Sequence, residues 1–121
     1  MIIAVQGTTG SVAQLLDDAQ IMSGSMPKPL TDDAVALFTA VKTAANGGTI
    51  PVTGHSMGGT TAEWLARQDS LGGATFGATG LPGNATPGGG NTSLVDYVNY
   101  GDPDASRACT GDARASRLTV D

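Results

Sequence analysis

Residues 51–59, which read PVTGHSMGG, hold the transition that decides the fold of this chain. The run Thr49–Val52 is short, apolar and rich in β-branched side chains, which favours a strand. Residues 60–67, after the serine, have a helical pattern. The stretch therefore predicts a strand that stops at Ser56, a sharp turn and a helix.

Ser56 lies between two glycines, Gly54 and Gly58, in the spacing G-x-S-x-G. This spacing between a strand and a helix is typical of a nucleophile elbow, in which a sharp turn exposes the serine hydroxyl. Because the glycines have no Cβ atom, the strand and the helix can pass closely and a substrate can approach. Helix N–H groups and the positive end of the helix dipole would stabilise an oxyanion beside the serine. The pattern predicts that Ser56 is a nucleophile.

Four more segments have the composition of strands. Residues 2–5 form a continuous apolar run, of the kind expected for a strand buried on both faces of a parallel sheet. Residues 94–100 are rich in β-forming side chains, and the weaker candidates are residues 74–76 and 118–120. Residues 2–5 start with no lead-in and run directly into a glycine-bounded turn, and residues 94–100 are stopped by Gly101-Asp102-Pro103.

One helix is predicted between the first two strands. Thr31 has the character of an N-cap residue, and Asp32 and Asp33 place carboxylates in the first turn, where the helix dipole favours them. The sequence Asn-Gly-Gly at residues 46–48 ends the helix after Ala45. Apolar residues at helical spacing predict one buried stripe, which consists of Val35, Phe38, Val41 and Ala45.

The order of these elements indicates an α/β fold, in which helices flank a mainly parallel sheet. Gly7, Ser56 and Asp102 each follow a predicted strand. Because the carboxyl ends of parallel strands meet at one edge of the sheet, we expect these three residues to lie together. Residues 11–22 fit a short helix or an irregular segment, and residues 81–93 fit a loop or flap.

The length and charge of the chain limit what it does. We expect residues 1–121 to form a single domain, and a truncated one, because this length is short for an α/β enzyme with an elbow. The net charge is −5 with only six Lys and Arg, and phosphate binding needs a basic face, so a nucleic-acid partner is excluded. The single cysteine, Cys109, cannot form an internal disulfide.

No targeting or metal-binding segment is predicted within these residues. No apolar run approaches the ~20 residues of a transmembrane segment, and the N-terminus lacks the features of a signal peptide. The compartment stays open, because export could depend on sequence outside this chain. No metal is expected, since Asp17 and Asp18 fit a solvated segment and Asp32 and Asp33 fit the start of a helix.

Four blocks of residues, in order, resemble the α/β-hydrolases of the class-three lipase family. The family has an R-G-T or R-G-S turn, a T-G-H-S-L-G-G elbow, a T-F-G-A-P strand end and a V-N-x-x-D-P turn. The corresponding blocks here are residues 5–8 (VQGT), 52–59 (VTGHSMGG), 74–78 (ATFGA) and 98–103 (VNYGDP). The resemblance implies a partial α/β-hydrolase fold and the hydrolysis of carboxylic esters.

The resemblance also implies roles for particular residues. Ser56 would attack an ester carbonyl, and Asp102 would orient a histidine. The backbone N–H groups of Thr8 and Met57 would form the oxyanion hole, and the two elbow glycines would shape the turn. The substrate would be a small-molecule or lipid ester, and no cofactor would be needed. An acyltransferase or thioesterase would use the same elbow.

This chain lacks the residue that acts as the general base in the family. The family's catalytic histidine lies downstream of the aspartate, whereas His55 is the only histidine here. Neighbouring side chains of a strand point to opposite sides, so the His55 ring should be directed away from the Ser56 hydroxyl. Gln6 and Asp104 also depart from the family's usual residues. Two explanations remain: an esterase or lipase domain completed by a downstream histidine, or an inactive lipase-like binding domain.

Overall fold

The computed structural model describes residues 1–7, 9–11, 16–17, 20–21, 23–81, 93–99 and 101, and the backbone of residues 116–120. Five strands and two helices have defined bounds in this part of the chain, and residues 16–17 and 20–21 are helical as well. In chain order they are β1 (Ile3–Val5), α1 (Lys28–Ala45), β2 (Val52–His55), α2 (Met57–Asp69), β3 (Gly73–Phe76), β4 (Leu94–Asn99) and β5 (Ser116–Val120).

The five strands form one sheet in the order β1-β2-β3-β4-β5, and every neighbouring pair is parallel. This confirms the predicted α/β fold with a parallel sheet. Each strand lies beside the next strand of the sequence, so the chain always moves in the same direction across the sheet. Right-handed crossovers that all move in one direction lie on one face of the sheet. The strand order therefore puts both helices on the same face.

The hydrophobic core lies between this face and the two helices. Strand side chains that point toward the helices pack with α1 and α2 in one buried cluster, which consists of Ile3, Ala34, Phe38, Ile50, Val52, Ala62, Leu65, Ala66 and Leu94. Phe38 is the member of the predicted α1 stripe that is fully inside this cluster, and Val41 and Ala45 pack against it while partly buried. Burial of these side chains fixes the helices on the sheet.

The other side of the sheet, which we call the open face, carries Ala4, His55, Phe76 and Tyr97. Ala4 and His55 are exposed, and the Phe76 side chain is 48 % exposed, although its ring stacks on Tyr97 at 5.5 Å. The expectation that the first strand is buried on both faces is therefore wrong. Ile3 is buried and Ala4 is not, because the described helices cover one face only.

Helix α1 begins at Lys28, three residues before the predicted cap at Thr31. Pro27 is the N-cap residue, and Pro29 lies in the first turn, where proline is tolerated because its missing N–H would have no helical partner. Thr31 is inside the helix, and its hydroxyl donates to the Lys28 carbonyl at 2.9 Å. The C-terminus is as predicted, since Asn46 has a left-handed conformation with φ 46°.

The remaining boundaries differ from the prediction by a few residues. β2 begins at Val52 rather than Thr49 but stops directly before Ser56, as expected. The weak strand candidate at residues 118–120 is confirmed as part of β5, which is parallel to β4. Most of residues 11–22 and of the predicted loop 81–93, and also Cys109, lie outside the described residues.

Candidate active site

Ser56 lies at the turn between β2 and α2 with φ 54° and ψ −128°. A residue with a Cβ atom avoids this region, and holding it there costs about 1–3 kcal/mol. Two backbone hydrogen bonds hold it in place. The Ser56 N–H donates to the Phe76 carbonyl at 3.1 Å, and the Ser56 carbonyl accepts from the Thr60 N–H at 3.0 Å. The strained conformation of Ser56 is therefore held by β3 on one side and by the first turn of α2 on the other.

The Ser56 hydroxyl is not used to build the helix. Ser56 occupies the N-cap position of α2, where a serine side chain commonly accepts a hydrogen bond from a helix N–H. Here its hydroxyl makes no such capping bond. Ser56 is half-buried and lies directly after β2, at the carboxyl edge of the sheet. That is the arrangement that a nucleophile elbow needs.

The two elbow glycines are confirmed as points of close approach. A Cβ atom built on Gly54 would lie 2.3 Å from the Gly58 carbonyl oxygen. One built on Gly58 would lie 2.4 Å from the Val5 carbonyl oxygen. Both distances are far below van der Waals contact and both neighbours are backbone atoms, so no side chain could rotate to make room. Glycine at these positions is therefore what lets β2 and α2 pass each other and touch the end of β1.

The end of β1 lies against the elbow. Besides the contact of Gly58 with Val5, a Cβ atom on Gly7 would be 2.6 Å from the His55 carbonyl oxygen. The structure thus brings Gly7 and Ser56 to one place, as predicted. Thr8, the next residue and a predicted oxyanion-hole donor, lies outside the described residues. Met57, the other predicted donor, is buried as the first residue of α2.

His55 is on the open face, at the last position of β2. The alternation along β2 points Val52 and Gly54 toward the helices and leaves His55 exposed. Its Nδ1 atom is 3.8 Å from the position that a Cβ atom on Gly7 would occupy, so the ring lies beside the turn after β1. The residue is therefore part of a regular strand, and the chain turns only after it.

Asp102, the predicted triad acid, lies outside the described residues. β4 ends at Asn99, at the same sheet edge as β2, and Gly101 follows in a left-handed conformation with φ 82°. The proposed separation between the Ser56 and Asp102 side chains, about 7 Å with an imidazole between them, stays a prediction.

A buried polar group behind the elbow was missed by sequence reasoning. Asp96 on β4 is 1 % exposed and Glu63 on α2 is 4 % exposed. The Thr75 hydroxyl on β3 lies between them, since it donates to Asp96 Oδ1 at 3.0 Å and is 3.4 Å from Glu63 Oε1. A polar residue at an inward position of β4, between Leu94 and Val98, was the one available signal.

A second polar contact joins α2 to the residues after β3. The Thr60 and Thr79 hydroxyl oxygens are 2.8 Å apart, and the Thr79 N–H donates to Thr60 Oγ1 at 3.1 Å. Thr60 is completely buried. Nothing in the sequence pairs these two threonines, because they belong to different elements and meet only in the folded chain.

Within the described residues, no three His, Cys, Asp or Glu side chains come together in a way that would hold a metal ion. The two helices of the described chain also lack the length or apolar character that a membrane-spanning segment needs.

Comparison of the chain with known protein families, with characterised proteins and with solved structures finds no match. The resemblance to the class-three lipases therefore rests on the four blocks of residues quoted for it. A function for this chain has to be argued from the geometry around Ser56.

Proposed function

We propose that this chain is a serine hydrolase of carboxylic esters, or the central part of one, in which Ser56 is the nucleophile. The observation that carries the proposal is the backbone of Ser56. A non-glycine residue with φ 54° and ψ −128° is held between a strand and a helix while its hydroxyl is left out of helix capping. Residues held in sparsely populated backbone regions cluster at active sites, where the surrounding structure keeps them in place.

The surroundings of Ser56 support the chemistry of ester hydrolysis. The tetrahedral intermediate places a negative charge on the former carbonyl oxygen, and backbone N–H donors aimed at that oxygen each lower the barrier by about 2.7–4 kcal/mol. Met57 begins α2 directly after the serine, so its N–H lies at the positive end of the helix dipole. Thr8 would supply the second donor from the turn after β1, whose preceding residue, Gly7, contacts the elbow.

The remaining triad members would come from elsewhere along the same sheet edge. β2 and β4 lie on either side of β3, about 10 Å apart. A histidine ring between Ser56 and Asp102 would fit this spacing. Within the 121 residues the only histidine is His55, so we expect this chain by itself to hydrolyse esters about 10⁶-fold more slowly than a complete triad enzyme.

Fluorophosphonate labelling tests the nucleophile directly. Ser56 Oγ would attack phosphorus and form a P–O bond, fluoride would leave, and the serine proton would pass to a base. Because a histidine base is lacking here, imidazole would be added over a range of concentrations. We expect intact-mass analysis to show one adduct per chain, peptide mapping to place it on Ser56, and its rate to rise with neutral imidazole.

The matched control is Ser56→Ala under the same imidazole concentrations, which should give no adduct. Circular dichroism would show that both proteins are folded. A folded wild-type chain that stays unlabelled at the highest imidazole concentration would contradict the proposal and favour the inactive binding domain. Labelling spread over several serines would contradict it as well, because the reactivity would then owe nothing to the elbow.

A further inference from the structure

We propose that Thr60 and Asp96 are positioning residues for Ser56, which act by holding the turn after β3, residues 77–79, against the first turn of α2. This inference rests on the proposed function, since it assigns residues that orient the same nucleophile. Neither residue belongs to the four blocks that suggested the function. Both are buried and polar, and their hydrogen bonds form a continuous path from β4 to the elbow.

The turn is anchored to β4 at two points. The Ala78 N–H donates to Asp96 Oδ1 at 3.2 Å, and the Gly77 N–H donates to the Tyr97 carbonyl at 2.8 Å. Asp96 Oδ1 also accepts from the Thr75 hydroxyl at 3.0 Å, which fixes the carboxylate between β3 and β4. A buried carboxylate that accepts several hydrogen bonds is a rigid anchor, because removing it would leave the donors without an acceptor.

The anchored turn presses against α2 through a tight contact. Thr79 bonds Thr60 Oγ1 through both its N–H, at 3.1 Å, and its hydroxyl, at 2.8 Å. Ala78 lies close to Gly59, because a Cβ atom built on Gly59 would be 3.0 Å from the Cβ atom of Ala78. The first turn of α2 is thus held between the turn after β3 and the end of β1, and it has little freedom to shift.

Thr60 passes this restraint to the peptide that follows the nucleophile. Its N–H donates to the Ser56 carbonyl at 3.0 Å, and its hydroxyl is 3.5 Å from the same oxygen. A peptide unit is planar, so the Ser56 carbonyl and the Met57 N–H point in opposite directions. The backbone bond is kept in any substitution, so the Thr60 hydroxyl acts by fixing the position of Thr60 against Thr79, and with it the direction in which the Met57 N–H points. That N–H is the proposed oxyanion donor, whose value depends on its aim.

Paired substitutions separate the hydrogen bonds from the volume of each side chain. Thr60→Val keeps the shape of the side chain and removes the hydroxyl, whereas Thr60→Ser keeps the hydroxyl. Asp96→Leu removes the acceptor, and Asp96→Asn keeps one acceptor oxygen. Thr39→Val is the matched control, because the exposed Thr39 hydroxyl on α1 donates to the Val35 carbonyl at 2.8 Å, far from the elbow in the chain.

Amide hydrogen exchange measured by NMR tests the restraint without any need for activity. We expect Thr60→Val to speed exchange of the Thr79 amide, and Asp96→Leu that of the Ala78 amide, each by about tenfold or more. Thr60→Ser, Asp96→Asn and Thr39→Val should leave both amides protected. Unchanged protection in Thr60→Val would overturn the inference, and that variant still decides the matter if Asp96→Leu fails to fold.

Labelling of Ser56 by the fluorophosphonate, with imidazole present, tests the effect on the nucleophile. The rate should fall by about 10- to 100-fold in Thr60→Val, since small displacements of catalytic groups have effects of this size, and recover to near the wild-type rate in Thr60→Ser. A wild-type rate in Thr60→Val would overturn the inference. If the wild-type chain is never labelled, the proposed function fails, while the exchange data still decide whether Thr60 and Asp96 hold the turn.

Discussion

Ser56 has a side chain but adopts a backbone conformation that suits glycine. This strain lowers the free energy of unfolding, which can be measured. We predict that Ser56→Gly is more stable than Ser56→Ala by about 1 kcal/mol, because glycine relieves the strain at φ 54° while alanine keeps it. Urea unfolding of both variants measures the difference. The expected difference is the strain energy that glycine relieves minus the free energy that glycine costs by raising the entropy of the unfolded chain.

Ser25 is the matched control for this prediction, because it is a loop serine with a negative φ. There the order should reverse, and Ser25→Ala should be more stable than Ser25→Gly. If alanine were the more stable replacement at both positions, the strain at Ser56 would be smaller than the entropic cost of glycine, and the main support for its role as a nucleophile would be lost.

At the level of single residues, the sequence was informative where the chemistry is local. Gly54, Ser56 and Gly58 were found from a five-residue spacing, because the turn they build depends on residues next to one another. Thr60 and Asp96 were missed because their partners, Thr79 and Ala78, are 19 and 18 residues away along the chain. Only the pairing of strands brings those partners within hydrogen-bond distance.

At the level of elements, α2 ends in a second left-handed residue, Ser70, with φ 55° and ψ 43°. Its N–H and that of Leu71 both bond to the Ala66 carbonyl, which closes the helix. We predict that Ser70→Gly raises the free energy of unfolding by about 0.5–1 kcal/mol, since glycine takes this conformation without a Cβ penalty. Thermal or urea unfolding would detect the gain.

Asn46 provides the comparison, because it ends α1 in the same region with φ 46° and ψ 51°. Asparagine tolerates the left-handed conformation better than serine does, so Asn46→Gly should change the stability by less than Ser70→Gly. Equal gains at the two helix ends would show that the residue type at the cap does not matter here.

Element boundaries were predicted less well than element types, and α1 shows why. Pro27 and Pro29 read as part of a loop, so the prediction started the helix at Thr31 with a threonine cap. In the structure proline itself occupies the cap and the first turn, where its fixed φ suits a helix and its missing N–H is not needed. Composition alone does not distinguish a proline-rich loop from a helix that begins with proline.

At the level of the whole molecule, the class of fold followed from the order of strands and helices, but the strand order did not. Parallel strands predict a shared carboxyl edge, which brought Gly7 and Ser56 together as expected. The order β1-β2-β3-β4-β5 was needed to see that right-handed crossovers place α1 and α2 on one face of the sheet, so that neither helix covers the other face. An apolar run such as residues 2–5 therefore did not reveal that one of its faces is exposed.

The open face should bind apolar dyes, because a contiguous apolar surface does so while scattered apolar side chains do not. We predict that the folded chain raises the fluorescence of anilinonaphthalene sulfonate and that Phe76→Ser lowers this signal by about half. Leu37→Ser is the matched control, since Leu37 on α1 is 45 % exposed, close to the 48 % of Phe76, but has no place on the open face. An equal loss in both variants would mean that dye binding follows total exposed apolar area. A loss in Phe76→Ser alone would locate the binding surface on the stacked rings of Phe76 and Tyr97. This surface lies beside the elbow, because Phe76 pairs in the sheet with His55, the residue before Ser56.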